Sequence, residues 1–253
     1  MKKVIKPVLI GIFWLAVWAL ACTAVKSEIL LPCPQSTIKA LCGLLKTGGF
    51  YKSAAFSVLR ILAGFVSGAV LGILLGSITS VSSVLRSLFS PVMSIIKATP
   101  VASFIVLLFV WFSNSAVASV TSMLIVLPVM WSSTFTSVTQ IDKSLVEMAQ
   151  LFKVPLKKRL TGLYIPSVLP QIKSAAATAL GLAWKAGIAA EVICSPKNSI
   201  GNGIYSSKIY LDTPSLFAWT LTVIIISVLL EKLIIKLLSI KKAPVKEAAA
   251  DEA

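Results

Sequence analysis

The chain has 253 residues, 57% of them hydrophobic and 13% charged, with a formal net charge of +15. Soluble domains run at roughly 45–50% apolar and about 25% charged, which excludes an ordinary soluble fold. In a membrane chain the positive excess marks topology, because basic residues collect in cytoplasmic loops, so nucleic-acid binding is excluded as well.

The chain contains no histidine, and Cys22, Cys33, Cys42 and Cys194 form no C-x-x-C pair. That removes the usual zinc and histidine-based sites, so no metal is expected. A Cys33–Cys42 disulfide is open if both face outside, although nothing in the spacing demands it.

Apolar runs of about 20 residues read as transmembrane helices, whereas a barrel would show alternating segments of about 10. Lys2, Lys3 and Lys6 precede a first span over 8–25, read as uncleaved. Leu31-Pro32-Cys33-Pro34 makes a turn, and 35–46 reads as a short amphipathic helix on the outer surface. Span two covers 53–77. Span three covers 88–112 and contains Pro91 and Pro100, and span four covers 116–138 with Pro128 inside. A polar insert follows over 140–172. Span five covers 172–193, a loop with Gly201-Asn202-Gly203 follows, and span six covers 214–238. Residues 1–240 form a single transmembrane domain, and the charged, Ala-rich tail 241–253 reads as disordered.

Six spans put both termini on one side. That side carries 15 basic residues and the opposite loops 7, with Lys97 and Lys185 inside spans. The larger count marks the cytoplasm. The expectation is an all-α, multi-pass protein of the cell membrane with both termini and the insert cytoplasmic.

Within the insert, Leu145, Met148, Ala149 and Phe152 recur at i, i+3, i+4 and i+7 and share one helix face. Val154-Pro155 ends that helix, since the residue before a proline avoids helical geometry. A second helix starts with Pro155 in its first turn, with Leu156, Leu160 and Leu163 on one side and Lys157, Lys158 and Arg159 on the other. From these residues alone, the unit is either a grip for another protein or an amphipathic hairpin resting on anionic lipid.

The spacing of the insert resembles the E-A-A loop of ABC importer permeases. Glu147, Met148 and Ala149 are followed by Lys153 where a glycine belongs, and then by Leu163-Tyr164-Ile165-Pro166. Over roughly residues 30–240 the chain resembles the nitrate/sulfonate/taurine-type branch. Leu31-Pro32-Cys33-Pro34, the entry to span two from Ser57 to Gly64, Thr99-Pro100 with Trp111-Phe112, Ala183-Trp184 through Glu191, and Leu211-Asp212-Thr213 carry that likeness.

The resemblance implies a type I importer permease and a second permease copy, expected to be identical. It also implies cytoplasmic ABC ATPase subunits that bind ATP and Mg, and an external binding protein that delivers substrate. Leu145, Met148, Ala149 and Phe152 would then be the face buried in the ATPase. Glu147 would pair with a basic group there or in its own loop. Lys153 departs from the pattern, because a glycine would allow a left-handed helix end at no cost. The corner is therefore expected to form through Val154-Pro155. No G-x-x-x-x-G-K-[ST] occurs, so this chain supplies no ATP site and binds no cofactor of its own.

Gly64, Gly68, Gly72 and Gly76 fall four apart in span two and allow close helix approach, as plain packing or as a sliding contact. Ionisable groups within spans face a protein interior or a wet cavity, which makes Lys185, Glu191 and Lys97 candidates for the translocation pathway. Lys185 and Glu191 are six residues apart, about 600° of helical turn, and do not pair with each other. The expected function is uptake of a small, anionic, sulfonate- or nitrate-like solute, or of a vitamin precursor. The rival is a secondary transporter or channel that works without an ATPase.

Overall fold

A computed structural model describes residues 2–237, with side chains from Leu9 onward. The tail expectation for 241–253 lies outside the described residues. All regular elements among the described residues are helical: α1 (Lys2–Val25), α2 (Pro34–Leu45), α3 (Gly48–Val81), α4 (Ser83–Ala98), α5 (Val101–Trp111), α6 (Asn114–Thr139), α7 (Lys143–Leu151), α8 (Leu156–Arg159), a π-helical turn (Leu160–Tyr164), α9 (Ile165–Cys194), α10 (Ile200–Ile209) and α11 (Thr213–Leu237).

Among the described residues, four helices are long and apolar enough to cross a membrane: α3, α6, the 39-residue run Leu156–Cys194, and α11. The bent pair α4–α5 passes the same test together, as a broken span or a re-entrant loop, and α1 adds a shorter apolar stretch, Leu9–Val25. Two of the six expected spans therefore take another form. Span three is not one rod, because α4 and α5 meet at 106°. Pro100 brings no N–H and forces the preceding residue out of helical geometry, and Thr99 is extended, with ψ 127°. Span five begins far earlier than residue 172, because the second helix of the insert runs straight into it.

The core is the three-helix contact of α3, α6 and α9. Gly64, Gly68, Gly72 and Gly76 are all buried in α3. A Cβ at Gly64 would strike the Ser119 carbonyl, and one at Gly72 would lie 2.6 Å from the Met130 Cβ and 2.8 Å from the Leu127 carbonyl oxygen. The stripe thus brings two backbones into contact along about three turns. Lipid tails are as apolar as leucine, so hydrophobic exclusion gives little between spans, and close packing of small residues supplies the attraction instead. Ser122 of α6, which packs on Gly64, donates its hydroxyl to the Ala183 carbonyl of α9 at 3.1 Å. Ile61, Val126, Met130, Leu180 and Trp184 fill the space between the three helices.

α1 lies at the periphery. Its end is tied by a Cys22–Cys33 disulfide, by Trp18, whose Nε1 donates to the Pro32 carbonyl at 3.1 Å, and by stacking of Trp18 on Phe217 of α11. The disulfide considered from sequence joined Cys33 to Cys42. Cys42 instead lies exposed on α2 as a free thiol, because the 31–34 turn folds Cys33 back onto the end of α1.

Candidate functional site

The insert is built from its caps inward. Asp142 opens α7 by accepting from the Ser144 amide at 2.9 Å and the Ser144 hydroxyl at 2.8 Å. Those two donors hold its carboxyl below the usual carboxylate range. No residue of α7 is buried. Leu145, Met148, Leu151 and Phe152 are all exposed, Phe152 at 73%, so the apolar face inferred from periodicity has no partner among the described residues. Glu147 is exposed too, and the one ion pair among the described residues lies elsewhere.

The corner forms at Lys153 itself. Lys153 adopts φ 49°, in the left-handed region. The Val154 amide reaches the Ala149 carbonyl at 3.0 Å and the Lys153 amide the Gln150 carbonyl at 2.9 Å. These are the two bonds of a Schellman helix end, a motif in which glycine is the usual residue. The expectation of a different corner through Val154-Pro155 is corrected: lysine takes the glycine conformation, and Val154-Pro155 carries the chain onward. Arg159 braces the bend by donating from Nε to the Val154 carbonyl at 2.9 Å. Lys153→Gly is therefore expected to stabilise this end by about 1 kcal/mol, seen as slower hydrogen exchange at Val154 and not across α9.

From Leu156 the helix continues without a break to Cys194. The Ile165 amide bonds to the Leu160 carbonyl, five residues back. Pro166 has no amide to offer Gly162 and its ring crowds that carbonyl, so the turn before it widens into a π-bulge. A cavity of about 410 Å³ lies where this segment meets α3 and α6, lined by Ser77, Ser80, Leu156, Arg159, Tyr164 and Ile172. The insert is thus the base of α9, and a push on it acts on a rod about 58 Å long.

Lys97 and Lys185, from α4 and α9, line one cavity of about 450 Å³. Thr99 joins them, and Ile125, Pro128, Val129 and Leu182 form apolar walls. Val101, the first residue of α5, also borders it, and that helix start has no side-chain cap. Thr178, Leu182, Lys185, Ala189 and Ile193 form an exposed stripe along α9. Lys185 is nine residues before the helix end at Cys194, about 13 Å along the axis. A charge at that depth does not face lipid without large cost.

Glu191 is placed differently. It is fully buried, and its carboxylate accepts from the Ser57 hydroxyl at 2.5 Å, Arg60 Nη1 at 3.3 Å and the Gly201 amide at 3.3 Å. It borders neither the Lys97–Lys185 cavity nor the one beneath the insert. Ser57 in turn accepts from the Ile200 amide at 2.9 Å. Glu191 and Ser57 thereby satisfy the first amides of α10, which have no partner inside the helix. Arg60 also donates to the carbonyls of Asn198 and Lys197, both at 3.2 Å. Geometrically, Glu191 is an anchor for the 195–209 segment. Sequence reading missed Ser57 and Arg60 as its partners. The available signal was the i, i+3 pair of a hydroxyl and a cation at the head of span two, opposite the one acid inside span five.

A family model for the binding-protein-dependent transport system inner membrane component matches residues 68–238. That is more than half of the chain, and the chain belongs to this family: it is a transmembrane permease subunit of an ABC importer. It is 25% identical over 222 residues to a candidate aliphatic sulfonates transport permease protein of Bacillus subtilis, covering 86% of this chain and 78% of the relative. The taurine transport system permease protein of Escherichia coli is 24% identical over 221 residues, at 85% and 80% coverage. The bicarbonate transport system permease protein of Synechococcus elongatus is 26% identical over 168 residues, at 65% and 59%.

Proposed function

We propose that this permease imports a small anion delivered by an external binding protein, that two copies enclose the path, and that separate ATPase subunits carrying ATP and Mg grip α7. The termini and the insert face the cytoplasm in this reading. The observation that carries it is the exposed apolar face of α7 with its C-cap, Leu145, Met148, Ala149 and Phe152, which with the exposed Glu147 has no partner among the described residues and lies at the base of α9. Lys153, Pro155, Ile165 and Pro166 shape the mount, through the left-handed corner and the π-bulge. Force applied at α7 travels along α9 to Lys185.

The path runs past Lys185 and Lys97, whose charges suit an anion, in keeping with the aliphatic sulfonates and the bicarbonate named for two relatives. The stripe from Thr178 to Ile193 is the surface that the second copy faces. Glu191 acts on transport from a distance, by holding the 195–209 loop where a binding protein would dock.

The experiment is uptake into proteoliposomes. With the permease, the ATPase and the binding protein present, uptake requires all three and ATP inside the ATPase compartment. Uptake at the same rate with the permease alone, driven by an ion gradient, would instead establish a secondary transporter.

A further inference from the structure

We infer that the outer end of this permease is a basic docking surface for an acidic face of the protein that delivers the substrate, centred on Lys197. The inference rests on the reading that an external protein makes that delivery. The Cys22–Cys33 disulfide marks this end as the outer one, because disulfides persist in oxidising compartments. The Thr213 hydroxyl, at the start of α11, donates to the Ile29 carbonyl at 2.7 Å and holds the stretch between the two cysteines beside the end of α10.

Lys26, Lys39, Lys46, Lys52, Lys197 and Lys208 are exposed at this end, and the exposed acids there are Glu28 and Asp212. Basic residues are as a rule sparse in outer loops, so topology does not account for the excess. None of these lysines forms an ion pair among the described residues. A surface of one sign steers a partner of the opposite sign and speeds their encounter.

Lys197 differs from the others in the backbone that carries it. Ser195 and Asn198 flank it with φ 47° and 53°, in the left-handed region that serine rarely adopts. Strain of that kind persists only where the surroundings over-determine the backbone, and here they do. The Cys194 carbonyl accepts from Asn114 of α6 at 2.9 Å, and the Pro196 carbonyl from Ser199 at 2.8 Å. The carbonyls of Lys197 and Asn198 both accept from Arg60 of α3 at 3.2 Å, and Arg60 is itself fixed by Glu191 of α9. The corner is clamped to three helices while the Lys197 side chain stands in solvent. A contact presented on a pre-set backbone loses little conformational freedom on docking. Arg60 is thus a positioning residue for Lys197.

The test is binding of the binding protein of the same transport system to the full chain in zwitterionic lipid nanodiscs, without ATPase, at about 20 mM and about 0.5 M salt. The wild type is expected to associate faster at low salt. Lys197→Glu slows association about tenfold at low salt and matches the wild type at high salt, where the charges are screened. Lys197→Arg keeps the wild-type rate. One acid-to-lysine change on the binding protein restores association with Lys197→Glu. Arg60→Gln leaves every exposed lysine in place and weakens binding at both salt concentrations, through faster dissociation, which a change of surface charge alone would not do.

No binding by the wild type at either salt concentration would overturn the delivery reading itself. Wild-type binding that Lys197→Glu leaves unchanged at low salt, or equal binding of an unrelated acidic protein, overturns this inference alone. So does loss of binding when phosphatidylglycerol enters the nanodisc, since the lysines would then rest on lipid headgroups.

Discussion

Glu147→Lys is expected to abolish uptake while leaving the permease inserted and folded. Glu147 stands exposed on a helix with no buried residue, so its replacement disturbs no buried contact among the described residues. Surface changes of that kind usually alter stability by less than about 0.5 kcal/mol. At an interface the same change reverses a charge opposite a basic group, and like charges brought together there cost several kcal/mol. A loss of uptake of a hundredfold or more is expected, with normal amounts of permease in the membrane and ATP hydrolysis no longer stimulated by the binding protein. Undiminished uptake at normal expression would count against the coupling role of α7. Phe152→Ala is the companion measurement: it removes the most exposed aromatic ring of the same face without changing charge.

The second large effect is on stability and lies at the other end of α9. Glu191→Ala removes the acceptor of three donors at once, the Ser57 hydroxyl, the Gly201 amide and Arg60. Breaking a buried pair by deleting one partner costs about 3–5 kcal/mol, because the remaining groups lose their partner without regaining water. Detergent-denaturation curves are expected to shift by that amount. Glu191→Gln shifts them less, since the amide oxygen still accepts from Ser57. Arg60→Gln is milder again: its side chain is 17% exposed, so water takes over part of its role. Equal stability of the wild type and Glu191→Ala would remove the anchor from the account.

The elements whose signal is local were legible in the sequence. Apolar run length located α3, α6 and α11, and the 3.6-residue period located the face of α7, because both follow from single-segment chemistry. The glycine spacing in α3 indicated close approach, but not that α6 is the helix approached. Three features depend on partners far apart in sequence and were not legible. Glu191 is an isolated acid in sequence, and its environment comes from Ser57 and Arg60, more than 130 residues away. The cysteine pairing depends on how the 31–34 turn folds back onto α1. The convergence of Lys97 and Lys185 needs the break at Thr99-Pro100 and the α6–α9 packing together. Lys153 is a different case. The expected glycine position was correctly located, but intrinsic preference argued against a lysine there, and the two Schellman bonds outweigh a strain of about 1–2 kcal/mol.

The central claim is that α7 is held by a separate ATPase. Its most direct test places a photo-crosslinking residue at Met148 in cells expressing the whole transport system. The account predicts one major adduct, of the permease with the ATPase subunit, that is lost in the Glu147→Lys background. Adducts with lipid alone, or none with the ATPase at normal expression of both proteins, would contradict it.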